Sequence, residues 1–205
     1  MFDLESSNLP RDLKKVVSGK CGSVMKLTQK RADALIEKLK RHPNDPDLYF
    51  TMEMLASNKN LSRSAFLWLF EEENKMKRGQ TVSWFLALNI SLPLFMQKKL
   101  LGKSDIVRTR LAFNPAVSSE ILFLLAKEPH DHIRYAVAKN PSTSKKALAI
   151  LAKDANENVR REVAANPNTS IKCIRALLAD DCDYVALTAS KHPKANNLKK
   201  LLTFS

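Results

Sequence analysis

Glycine is scarce in this chain, at 4 of 205 residues, and aromatic residues make up only 7%. Both values suit a helical chain better than a β-sandwich with its many turns. The 3 cysteines, Cys21, Cys173 and Cys182, are odd in number and form no CxxC pair. Their spacing argues against a disulfide framework or a zinc site; it suits a reducing cytoplasm, where the thiols act as small buried fillers. The start, Met1-Phe2-Asp3-Leu4-Glu5, lacks the basic and apolar regions of a secretory signal. The most apolar run, Trp84 to Met96, is interrupted by Asn89, Ser91 and Pro93. It falls short of the roughly 20 apolar residues of a membrane span and is expected to be core. No GxxxxGK, HExxH or GxSxG string occurs.

Internal repetition is what the chain has instead. Leu111-Ala112-Phe113-Asn114-Pro115 returns as Val137-Ala138-Lys139-Asn140-Pro141, as Val163-Ala164-Ala165-Asn166-Pro167 and as Ala189-Ser190-Lys191-His192-Pro193. The prolines at 115, 141, 167 and 193 are 26 residues apart. Asn58 and Asn89 fit the same frame upstream, so six units are keyed on Asn58, Asn89, Asn114, Asn140, Asn166 and His192. Seven residues before each key position stand Thr51, Val82, Val107, Ile133, Val159 and Val185, with Leu, Val or Ala three before. This is one apolar stripe on a helix of about three turns. Four residues after each key position come Ser62, Pro93, Ser118, Ser144, Ser170 and Asn196, residues that start helices. The second helix then buries Phe66 and Leu69, Leu122 and Leu125, Leu148 and Leu151, Ile174 and Leu177. Units of this length cannot bury an apolar face alone and must stack.

Upstream, residues 1–46 do not repeat. Thr28 heads a helix with a stripe of Ala32, Leu35, Ile36 and Leu39 that stops at His42-Pro43, and residues 1–10 are expected to be loose. The expected fold is all-α: an N-terminal helical cap over 1–46 and an α-solenoid of about six helix–helix repeats over 47–205. The 31-residue interval between Asn58 and Asn89 holds an insertion at 71–80, expected to be a solvated loop.

The run Asp131-His132-Ile133-Arg134-Tyr135-Ala136-Val137-Ala138-Lys139-Asn140-Pro141-Ser142-Thr143-Ser144 resembles the leucine-rich repeat variant family, and so does Val159 to Ser170. That family's pattern is Val-Arg-x-x-Val-Ala-x-Asn-Pro-x-Thr-Pro followed by Leu-x-x-Leu-Ala-x-Asp, and Leu148-Ala149-Ile150-Leu151-Ala152-Lys153-Asp154 supplies the second half. The likeness covers residues 105–180 well, 47–104 and 181–205 more loosely, and nothing before 47. It implies a right-handed superhelix. The period exceeds the family's usual value of about 24, which suggests a fuller second helix of HEAT type. Ser stands where the family has Pro after Thr. The founding member's iron–sulfur cluster lies in a cysteine-rich region, whereas the region here has only Cys21, so no cofactor is expected.

Three sets of residues are candidate sites. Arg108, Arg134 and Arg160 recur every 26 residues and would align on stacking; each follows Asp105, Asp131 or Glu157 by three, close enough for a structural pair. The Asn row reads as architecture at helix ends. Charge is the third set. The net charge is +13, but residues 111–190 carry 10 basic and 9 acidic side chains. The excess lies in residues 1–46, around Lys98, Lys99, Lys103, Arg108 and Arg110, and in the tail with Lys191, Lys194, Lys199 and Lys200. His130 and His132 flank Asp131 without a third ligand in view, so no metal is expected; Trp68 and Trp84 sit in apolar stripes and are read as core. The functional expectation is a non-enzymatic cytoplasmic interaction module for an acidic protein partner. The alternative is phosphate-backbone contact with nucleic acid, and for either partner the candidate binding residues are Lys98, Lys99, Lys103, Arg108, Arg110, Arg134, Arg160, Lys191 and Lys194.

Overall fold

A computed structural model describes residues 27–43, 48–76 and 79–195. Expectations placed on residues 1–10, Cys21, Pro46, Asn196, Lys199 and Lys200 lie outside the described residues. The described residues form twelve α-helices and no strand. Two compact units divide the chain, Met1–Val107 and Arg108–Ser205.

In the first unit, α1 (Gln29–Leu39), α2 (Leu48–Ala56), α3 (Arg63–Met76), α4 (Thr81–Leu88) and α5 (Leu94–Leu100) pack with α2 against α4 and α3 beside both. The stripe on α1 buries Ala32, Leu35, Ile36 and Leu39 as its spacing requires. Pro93 stands at the N-cap of α5, one position ahead of the first helical turn expected for it. Next comes α6 (Asp105–Phe113).

The second unit alternates short and long helices: α7 (Ser119–Leu125), α8 (Asp131–Lys139), α9 (Lys145–Leu151), α10 (Glu157–Ala165), α11 (Ile171–Leu177) and α12 (Asp183–Lys191). The long helices α8, α10 and α12 stack in order, and the short helices α7 and α9 pack against each other. The valines and isoleucine at 133, 159 and 185 are fully buried, as are Val137, Val163 and Ala189. Each large aliphatic side chain so buried contributes roughly 1.5–3 kcal/mol over exposure. Ser118, Ser144 and Ser170 accept from the backbone N–H of Ile121, Ala147 and Cys173, which caps the short helices.

The corners are tied together by the Asn row. Asn140 Nδ2 donates to the carbonyls of Ala112 and Asn114 at 2.7 and 2.9 Å, while its Oδ1 accepts from Ser142 N. Asn166 repeats this on Ala138 and Asn140, and Asn89 does so on Ala56 and Asn58. One amide thus satisfies two helix-end carbonyls of the preceding repeat and one N–H of its own turn. His192 fills the last place: its Nδ1 accepts from Lys194 N, and its Nε2 lies 3.3 Å from the Asn166 carbonyl. Thr143 and Thr169 are fully buried and donate to Val137 O and Val163 O, each at 2.6 Å, which closes the turn from within.

Candidate interaction surfaces

The arginine row is occupied. Arg134 Nε and Nη2 lie 2.6 and 3.0 Å from the two carboxylate oxygens of Asp154, and Nη1 donates to the carbonyls of Glu128 and Pro129. Arg160 repeats the arrangement on Asp180 at 2.7 and 2.9 Å, with Nη1 on Asp154 O and Ala155 O. Arg108 is looser: its Nη2 donates to Glu128 at 3.3 Å, and its Nε stands 3.1 Å from the other oxygen. The acid that fills each fork lies 20 residues downstream at the end of the short helix, whereas the spacing had pointed to the acid three residues upstream. A helical i, i+3 pair offers one contact on an exposed surface, while the turn acid meets the guanidinium edge-on in a bidentate pair. Those upstream acids add only charge: Asp131 and Glu157 help raise the Arg134 and Arg160 pKa values, after the hydrogen bonds to Asp154 and Asp180. The pairing also holds the Asp180 carboxyl below its ordinary range.

Two more candidates are engaged inside the fold. Lys103 Nζ lies 3.2 Å from Glu73 Oε2 and 2.6 Å from Asn74 Oδ1, over the Phe70 ring. Glu73 is buried and accepts from both the backbone N–H and the hydroxyl of Ser83. Ser83 occupies the repeat position of the arginine row, and Lys103 that of the turn acid. The first unit thus has a neutral hydroxyl at the arginine position and a cation at the turn-acid position, and Glu73 meets both. It can do so because residues 71–76 extend α3 as helix. The solvated loop expected there is corrected over these residues; Lys77 and Arg78 lie outside the described ones. Lys194 Nζ donates to the carbonyls of Pro167 and Thr169 at 2.9 and 2.6 Å.

Lys98 and Lys99 are exposed on α5, Arg110 on α6 and Lys191 on α12. Lys99 lies 5.5 Å from the Phe70 ring centroid.

A basic surface that the sequence count conceals lies in the second unit. The near neutrality of residues 111–190 comprises two faces of different charge. Besides the paired arginines, α8, α10 and α12 carry Lys139, Arg161 and Lys191 against Asp131, Glu157, Glu162 and Asp183. The short helices α7, α9 and α11, with the two residues after each, carry Lys127, Lys145, Lys146, Lys153, Lys172 and Arg175 against Glu120, with the exposed Asp181 in the turn after α11. All six cations are exposed, and among the described residues none pairs with a carboxylate. Position within the repeat, which a segment total averages away, was the signal that would have found this face.

A second surface is apolar and lies in the first unit. Trp84 and Phe85, ring centroids 4.9 Å apart and edge-to-face, stand half-buried between two grooves. One groove, about 550 Å³, is lined by Gln80, Thr81, Ser104, Ile106 and Val107; the other, about 570 Å³, by Ser57, Lys59, Leu88, Asn89 and Ile90. Ile90 and Ile106 are 63% and 61% exposed. Trp84 is therefore half-buried and not core, because the stripe on α4 that faces inward is Val82, Leu86 and Ala87 and its other side meets solvent; Trp68, on α3, is half-buried too, beside the buried Ala65, Phe66 and Leu69. The run Trp84 to Met96 likewise leaves Leu88, Ile90 and Leu94 exposed.

No protein-family model and no curated protein matches this chain. Among the described residues, no helix is long and apolar enough to cross a membrane, and no group of three or more His, Cys, Asp or Glu is placed to hold a metal ion. His130 and His132 stack edge-to-face 5.4 Å apart, and His132 Nδ1 lies 3.9 Å from Asp131.

Proposed function

We propose that the chain is a non-enzymatic module of the leucine-rich repeat variant type, a right-handed solenoid of about six repeats that holds an acidic protein partner. The observation that carries this reading is the sorting of charge in the second unit: six exposed cations on the short-helix face that, among the described residues, pair with no carboxylate, and a balanced long-helix face. Such a face attracts an acidic surface over roughly a Debye length and sets partner choice more than stability. The apolar grooves beside Trp84 and Phe85 support a protein partner, since exposed apolar surface of this kind serves protein contact.

The test is retention on an immobilised acidic polypeptide such as poly-glutamate across a salt series. Retention that falls with salt and is abolished by K145E/K146E/K172E supports the proposal. Retention unchanged in that variant overturns it.

A further inference from the structure

The short-helix face is not uniformly polar. Leu124 on α7 and Ile150 on α9 hold the same repeat position, are 49% and 42% exposed, and lie on helices that pack against each other. Phe123 and Ala149 flank them, Lys127 covers the Phe123 ring at 4.5 Å, and Ile171 at the start of α11 is 42% exposed. Cations border this apolar strip on both sides: Lys145, Lys146 and Lys172 at the helix starts, Lys127 and Lys153 just past the ends of α7 and α9.

We infer that the occupant of this face is an acidic amphipathic helix, lying across the short helices with leucine-type residues seven apart on Leu124 and Ile150 and carboxylates against the flanking lysines. This rests on the proposed acidic-partner reading and names the partner's chemistry. Two magnitudes support it. Packed helices stand roughly 8–10 Å apart, and residues seven apart on a helix rise about 10.5 Å, so consecutive anchors of one partner helix meet equivalent positions of consecutive repeats. Duplex phosphates offer nothing to Leu124 and Ile150, which such a complex would leave against a polar backbone. An acidic amphipathic helix, whose apolar anchors recur along one side with carboxylates beside them, satisfies both the strip and its borders.

Three probes separate the outcomes, using the whole chain: a synthetic helix of about three heptads with leucine at a and d and glutamate at e and g, poly-glutamate of equal charge, and duplex DNA. Affinities are measured by titration for the parent, L124S/I150S and K145E/K146E/K172E. The helix is expected to bind at least about tenfold more tightly than poly-glutamate. L124S/I150S should remove that advantage and leave poly-glutamate binding unchanged, with the melting temperature confirming that this surface change leaves the fold intact. Equal affinity for helix and poly-glutamate overturns the inference and leaves the acidic-partner reading standing. Tighter binding of duplex DNA overturns the inference and reassigns the face to nucleic acid. Binding of none of the three overturns both.

Discussion

Arg134 grips Asp154 with two parallel nitrogens at 2.6 and 3.0 Å, across 20 residues of chain, while a third nitrogen holds the carbonyls of Glu128 and Pro129. One side chain thus fixes the end of the short helix before it to the end of the short helix after it. Replacing Asp154 with Ala leaves a largely buried guanidinium without its partner and is expected to cost about 2 kcal/mol. The double change R134M/D154L is expected to cost less, because no charge is left stranded; denaturant midpoints of the parent and the two variants check this. Acid should loosen the related Arg160 pair. The Asp180 carboxyl titrates below its ordinary value in the fold, so its contribution is present above the unfolded pKa and lost as pH falls through the lowered one.

Asn166 serves three backbone groups from two repeats, and Asn168, two residues on, reaches carbonyls from a more exposed place. Asn166→Ala is expected to cost about 2 kcal/mol, because the buried Ala138 carbonyl loses this donor and the Asn140 carbonyl keeps only the Thr143 N–H, and Asn168→Ala well under half of that. Thermal unfolding of both single variants decides between them.

The row ends in His192, whose pKa is lowered by burial, against a smaller upward effect of its bond to the Asn166 carbonyl, with Lys194 nearby also lowering it. Its Nδ1 accepts from Lys194 N, which only the neutral ring can do. The unfolded chain therefore takes up a proton at higher pH than the fold. Stability should be full above the unfolded value of about 6.5 and decline as pH drops from there through the lowered folded pKa. His192→Asn, which restores the amide of the other repeats, should flatten that decline between about pH 5 and 7. A decline of equal size in both proteins would assign the effect elsewhere.

How much of this was legible in advance follows from what each residue's position depends on. The helix pairs, their serine caps and the buried Val–Leu stripes are local or periodic, and the 26-residue spacing exposed them. The architectural role of Asn140 and Asn166 was legible from recurrence alone. The turn-acid pairing was not: Asp131 and Asp154 are both regularly spaced from Arg134, and only the path of the short helix brings the second one into the fork. The misreading of Trp84 has a similar cause, since α4 is apolar on nearly all sides and periodicity could not say which side faces inward.

Glu73 shows how an irregular segment can be structural. Glu73→Ala strips Lys103 and the Ser83 N–H of their buried acceptor and should destabilise the protein by about 2–3 kcal/mol. Glu71→Ala, two residues upstream on α3 and exposed, should change stability by no more than about 0.5 kcal/mol. Equal melting temperatures for the two variants would return the segment to a mere surface extension.

In the proposed function, one face of the second unit, and not the net charge of the chain, holds an acidic partner. The direct measurement sets K145E/K146E/K172E beside K139E/R161E/K191E, which changes the charge by the same amount on the long-helix face. Affinity for poly-glutamate at low salt is read for both. Loss confined to the short-helix variant, by about tenfold or more, is the outcome expected; equal loss in the two variants would contradict a dedicated face and leave only overall charge.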